Sequence, residues 1–174
     1  MNKTRNNQLI RLADSALKFH ADLIANKLKD VDRQIKLAPS EKEKLEKDKK
    51  LLESKRLLIK RDDTSEIIDS YNGQVASLSV SIVMSGLLPT LAFFYQDKPE
   101  TNSKKAYRRN ILDIIAIMMN QDHYSWNVTE PDAKSLFEYA IKHSDEVNEV
   151  NALRQEIVEC AIALKQVVRT YNLV

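Results

Sequence analysis

Residues 71–96 read YNGQVASLSVSIVMSGLLPTLAFFYQ, the most apolar stretch of the 174-residue chain, and no Lys or Arg falls between Arg61 and Lys98. Ile68, Tyr71, Val75, Leu78 and Ile82 recur at the three- and four-residue steps of one helical face, with Ser77, Ser79, Ser81 and Ser85 between them. That pattern predicts a helix buried on most sides. Gly86 stands where a helix would end in a left-handed residue, and Pro89 where a new first turn tolerates a missing amide. Two helices joined at Ser85-Gly86-Leu87 are therefore expected. The serines, Asn72, Gly73, Gln74 and the Gly/Pro break leave no continuous run of ~20 apolar residues able to cross a bilayer. The first residues, MNKTRNNQLIRLAD, lack the apolar segment and small-residue cleavage site of a secretory signal. A cytoplasmic protein with no membrane partner is expected.

Two glycines and four prolines supply too few turns for the many short strands of a sandwich or barrel. An all-α fold follows: one domain over residues 1–174, built as a compact bundle of about five to seven helices. The first helix starts near Thr4 with Leu9, Leu12, Ala16, Phe19 and Leu23 on one stripe, which then shifts to Ile24, Leu28, Val31 and Ile35 before Pro39 ends it. Ser40 and Glu43 form a capping-box pattern that starts a second helix running to about Arg61, with Leu45, Leu51, Leu52, Leu58 and Ile59 in steps of seven. Residues 27–62 thus read as a projecting charged antiparallel hairpin. Asp63 and Glu66 offer N-terminal acceptors to the apolar helix that follows. Further helices are expected from Lys104, from Thr129-Pro131-Asp132 and from Ser144.

Net charge is only +2, but it is unevenly spread. Residues 27–62 hold 13 basic and 8 acidic side chains, 98–109 hold five basic and one acidic, and 110–174 hold five basic and ten acidic. Lys104, Lys105, Arg108 and Arg109 fall in the first turns of one expected helix. Cations there oppose the helix dipole at a cost of ~0.3–1 kcal/mol each, so an anionic partner, or simple tolerance at the surface, must account for them. On a helix the four form two adjacent rows able to face a phosphate backbone. Arg154, Lys165 and Arg169 lie on or near the outer surface of the last helix and are weaker candidates for nucleic-acid binding. The loop with His123, Tyr124 and Trp126 could stack on bases, but covering the core is the commoner fate of such a tryptophan.

Catalytic patterns are absent. His20, His123 and His143 are far apart, and none has a second His or Cys at metal-ligand spacing. The lone Cys160 sits on an apolar helical face, as a buried thiol would. With Gly73 and Gly86 alone, no phosphate-cradling glycine loop exists. Asp145, Glu146 and Glu149 read as complements to a helix dipole rather than a cation site. No enzyme activity, metal or cofactor is expected.

The ordered motifs resemble a known family, the small subunit of the type III-B CRISPR RNA-guided effector complex. Ser85-Gly86-Leu87 followed by Thr90-Leu91-Ala92-Phe93-Phe94 is similar to that family's Asn-Gly-Leu turn running into Thr-Leu-Ala-Phe-Leu, with Ser85 replacing Asn. The Arg5, Gln8 and Ala13 spacing, Ala106-Tyr107, and Ala163-Leu164-Lys165 leading to Arg169 are similar to their counterparts. The resemblance implies a helical, non-catalytic protein in antiviral defence. It implies several copies stacked inside a filament of backbone subunits, beside a large subunit, lining the channel where guide RNA pairs with target RNA. Basic residues would then hold RNA phosphates without reading bases. The hairpin at 27–62 is longer than the family's usual connection, which leaves a second reading open: a helical adaptor that binds another protein through this arm and touches no RNA.

Overall fold

A computed structural model describes residues 3–56, 58–61, 64–97, 106–122, 126 and 128–174. Most of the described residues are helical. In order it forms α1 (Lys3–Leu37), a 3-10 turn (Pro39–Glu41), α2 (Lys42–Ser54), β1 (Leu58–Arg61), β2 (Thr64–Ile67), α3 (Ser70–Ser85), α4 (Leu87–Tyr95), α5 (Arg108–Gln121), α6 (Ala133–Lys142), α7 (Val147–Val168) and β3 (Asn172–Leu173). The all-α expectation holds.

The bundle is organised around α5, in which every residue from Ile114 to Met119 is buried, as are Asn110, Ile111 and Leu112. It is surrounded by α1, α3, α4, α6 and α7. This corrects the reading of α3 as the helix buried on most sides. α3 buries only Tyr71, Val75, Leu78 and Ile82, while Val80, Val83 and Met84 face solvent. The run Asp113-Ile-Ile-Ala-Ile-Met-Met119 is apolar nearly all round, the composition of a helix with neighbours on every side. The α3–α4 junction is as expected: Gly86 has φ 91° and serves both as the cap after α3 and as the residue before α4. Thr90 donates its hydroxyl to the Gly86 carbonyl at 2.8 Å, and Leu91 and Phe94 enter the core. The motif is thus a corner-forming device.

α1 continues as one helix along a single buried stripe of Leu9, Ala13, Ala16, Leu17, His20, Ile24 and Leu28. The expected shift of stripe is absent: Phe19 and Leu23 are 46% and 39% exposed because they lie one step off this face. At roughly 1.5 Å per residue α1 outruns the bundle. Its second half pairs with α2 in the hairpin, across Leu28, Leu45 and an ion pair of Lys49 with Asp32 at 2.8 Å.

The hairpin is shorter than expected. α2 ends at Ser54, and Leu58–Arg61 instead pairs antiparallel with Thr64–Ile67, matching Leu58 to Ile67. Both of those side chains join the main core, which a strand with alternate inward residues allows and a charged helix would not. β2 also pairs in parallel with β3, Ile67 opposite Leu173, so the chain's end is stitched to the foot of the hairpin.

Several caps also differ. α3 begins at Ser70, so Glu66 lies in β2 and not at a helix start, and Asp63 is outside the described residues. α2 follows Glu41 without a side-chain cap. α6 is capped by Asp132, in a capping box with Ser135, because Asp132 is extended and accepts the Ser135 amide. α7 follows Glu146 rather than Ser144.

Candidate nucleic-acid interface

α5 opens with Arg108 and Arg109, preceded by Tyr107 in an extended conformation at φ −84° and ψ 101°. The start is set by two hydrogen bonds. The Tyr107 amide donates to the Tyr71 hydroxyl at 3.0 Å, and the Arg108 amide donates to Asp97 Oδ2 at 2.7 Å. Because Tyr107 is not helical, one continuous helix cannot carry Lys104, Lys105, Arg108 and Arg109 in two rows. Lys104 and Lys105 lie outside the described residues.

Arg108 is held within the chain. Its Nε donates to Gln74 Oε1 at 3.1 Å, Nη1 is 3.9 Å from Asp97 Oδ1, and the guanidinium lies 4.5 Å from the centre of the Phe93 ring. Asp97 therefore supplies part of the negative charge that the dipole argument assigned to a partner. Arg109 stacks on Tyr95 at 4.5 Å, and Tyr95 in turn stacks on Phe137 at 5.0 Å. Arg109 also lines a cavity shared with Lys27 of α1 and Lys55 at the end of α2.

On α7, Arg154 and Lys165 are eleven residues apart, about three turns, and Arg169 follows one turn later. All three fall on one stripe. Arg169 is exposed and its Nε lies 3.4 Å from Asn72 Oδ1, Lys165 is half-buried, and Arg154 borders a groove with Val83, Val158 and Ile162. The facing side of α3 carries no charged residue between Ser70 and Ser85. The stripe is therefore a line of positive charge facing an uncharged side of α3, with Glu159 beside Arg154 in the groove.

The other polar motifs are structural. Arg5 and Gln8 both reach Asp122, whose side chain is fully buried at the end of α5; Gln8 Nε2 donates to Oδ1 at 2.7 Å. Ala13 is wholly buried. The Arg5, Gln8, Ala13 spacing thus fixes α1 to the central helix. His143 Nδ1 is 2.8 Å from Glu146 Oε1, His20 is buried, and Trp126 is buried near Tyr139, the core-covering outcome. Burial, reinforced by the Asp122 carboxylate, pushes the Cys160 thiol far above its usual range, the opposite of a nucleophile. Among the described residues no group of three His, Cys, Asp or Glu side chains converges for a metal, and no helix is long and apolar enough to cross a membrane.

The family model described as CRISPR-associated protein (Cas_Cmr5) matches residues 37–171. The chain belongs to the Cmr5 family. These are the small subunits of type III-B CRISPR complexes, so the likeness read from the Gly86 corner and the C-terminal helix is confirmed. The match takes in α2 through α7 and leaves out nearly all of α1, including Arg5, Gln8 and Ala13. No curated protein and no solved structure matches the chain.

Proposed function

We propose that this Cmr5-family chain is a non-catalytic subunit that stacks with copies of itself along the interior of a type III-B filament in the cytoplasm. There it contacts the backbone and large subunits and stabilises guide and target RNA through sequence-independent phosphate contacts. The single observation that carries the reading is the family match over residues 37–171. The stripe of Arg154, Lys165 and Arg169, running some 20 Å along α7, supports backbone contact. Arg109 and the segment with Lys104 and Lys105 extend the same chemistry. Arg108, already bound to Asp97 and Gln74, contributes least.

The test is recovery of the tagged chain from its own cell with sequencing of bound RNA. The proposal expects guide RNA and the other effector subunits in stoichiometric amount. Recovery with protein partners but no RNA, abolished by removal of the hairpin, would favour the adaptor reading. That reading draws on Leu37, 84% exposed at the hairpin's tip.

A further inference from the structure

Lys27, Lys55 and Arg109 come from α1, the end of α2 and the start of α5, yet they border one cavity of about 240 Å³. Among the described residues none of the three forms an ion pair. Lys55 is half-buried, and burial first, then the Arg109 charge, push its ammonium below the usual value, with Asp113 opposing and Lys27 adding to the effect. Gathering like charges in a partly dry site costs free energy unless an anion completes it.

The acids at the cavity are already used. Asp113 Oδ1 accepts the Ala133 amide at 2.7 Å and its Oδ2 is 3.9 Å from His20 Nε2, while Asp132 Oδ1 accepts the Ser135 amide at 2.8 Å. The Asp113 bond ties α6 to α5 on one wall, while Asp132 caps α6 itself. Three cations against two carboxylates leave the cavity lining with an excess of positive charge. The arrangement is also rigid. Asn110 Nδ2 donates to the Lys55 carbonyl at 2.5 Å and to the Tyr71 hydroxyl at 2.8 Å, which fixes the end of α2 against α5. This fixes the backbone from which the Lys55 side chain reaches the cavity.

The geometry points to a phosphate-binding site at Lys27, Lys55 and Arg109, taking one phosphate group of RNA. Several oxygens on one anion suit three cations bordering one cavity better than a single carboxylate does. The volume decides the extent of burial: pockets for drug-sized ligands run to roughly 300–1,000 Å³, so this one admits the phosphate and leaves the rest of the nucleotide outside. The assignment of the phosphate to RNA rests on the proposed function; the site itself does not. Because Lys27 and Lys55 belong to the hairpin, the site would join that arm to RNA contact.

Nuclear magnetic resonance of the full-length ¹⁵N-labelled chain tests the site at matched ionic strength with three probes. These are inorganic phosphate, a 5′-phosphorylated ribodinucleotide, and the same dinucleotide with only its internal diester. Saturable shifts at the Lys55, Arg109 and Asn110 amides are expected with all three. Lys55→Gln and Arg109→Gln should each weaken binding by about tenfold. The exposed Lys27→Gln, safe for folding, should weaken it in the same direction, and Lys142→Gln, an exposed cation of α6 away from the cavity, should change nothing. Response to inorganic phosphate and monoester but not the diester would overturn the RNA-backbone assignment while supporting the site. No saturable shift at these amides, or shifts undiminished in the folded Lys27→Gln and Arg109→Gln chains, overturns the site itself. Failure to recover RNA from cells would instead sink the RNA reading without touching this result.

Discussion

Tyr71→Phe removes one oxygen from the middle of the protein and leaves the ring in place. Tyr71 is wholly buried, and its hydroxyl accepts both the Tyr107 amide at 3.0 Å and Asn110 Nδ2 at 2.8 Å. Without it Asn110 keeps the Lys55 carbonyl, but the Tyr107 amide is left without a partner at a buried position. An orphaned buried donor costs about 1–3 kcal/mol. In a chain of this size each kcal/mol moves Tm by about 2–4 °C, so a fall of about 2–12 °C is expected by calorimetry or by helical dichroism. Tyr171→Phe is the matched control, since its hydroxyl donates to Asp14 Oδ1 at 2.7 Å from a half-buried position where water can substitute. Its effect should be the smaller of the two. A Tyr71→Phe chain melting within about 1 °C of the parent would refute the argument that this hydroxyl holds α3, α5 and the end of α2 together.

Other perturbations follow from the same interactions. Gly86→Ala should cost about 1–3 kcal/mol, read as a lower denaturation midpoint, because φ 91° with ψ 167° is glycine's territory; an added Cβ would meet nothing nearer than Pro89 Cδ at 3.8 Å, so equal stability would show that the backbone is not strained there. Burial, opposed by Arg5 and reinforced by Asp122, Glu159 and Glu149, pushes the Glu156 carboxyl from 4.5 up to about 7. The folded state then keeps a proton that the unfolded chain releases, so stability falls as pH rises from about 4.5 to 7. Glu156→Gln should therefore raise Tm relative to the parent at pH 8 and lose that advantage by pH 4.5; a pH-independent difference would contradict it. Replacing residues 30–53 by a short Gly/Ser linker should leave a folded helical chain, whereas extending the replacement through Arg61 removes Leu58 from the core and should cost about 2–5 kcal/mol more. Equal stability of the two deletions would place β1 outside the core.

The α3–α4 corner was legible because Gly86 and Pro89 punctuate it, and the all-helical class because so few other turn residues exist. Burial was harder to read. Residues 114–119 of α5 are apolar without a break, a mark of enclosure, but the lack of Lys and Arg in α3 drew the reading there although serines interrupt its apolar face. The strands escaped because Leu58 and Ile59 continue the seven-residue step of α2, while the pairing that makes them strand comes from Thr64–Ile67 and from the chain's end. At the candidate site, Arg154, Lys165 and Arg169 could be aligned from one helix alone. The grouping of Lys104 and Lys105 with Arg108 and Arg109 assumed helix through Tyr107, which the Tyr71 hydroxyl and Asp97 terminate instead. Lys27 and Lys55 were visible only as members of a charge run, since no local pattern brings them to Arg109.

Within an assembled effector this subunit should grip RNA through its phosphates, and the most direct measurement is the salt dependence of target-RNA affinity. The reconstituted complex is compared with the parent chain and with Arg109, Arg154, Lys165 and Arg169 changed to Ala. The altered chain should still assemble and bind target more weakly, by a similar factor for unrelated sequences. Its slope of log affinity against log salt should flatten by about 0.7–0.9 for each phosphate whose cation has been removed. An assembled complex whose affinity and slope are both unchanged would contradict phosphate gripping by these residues.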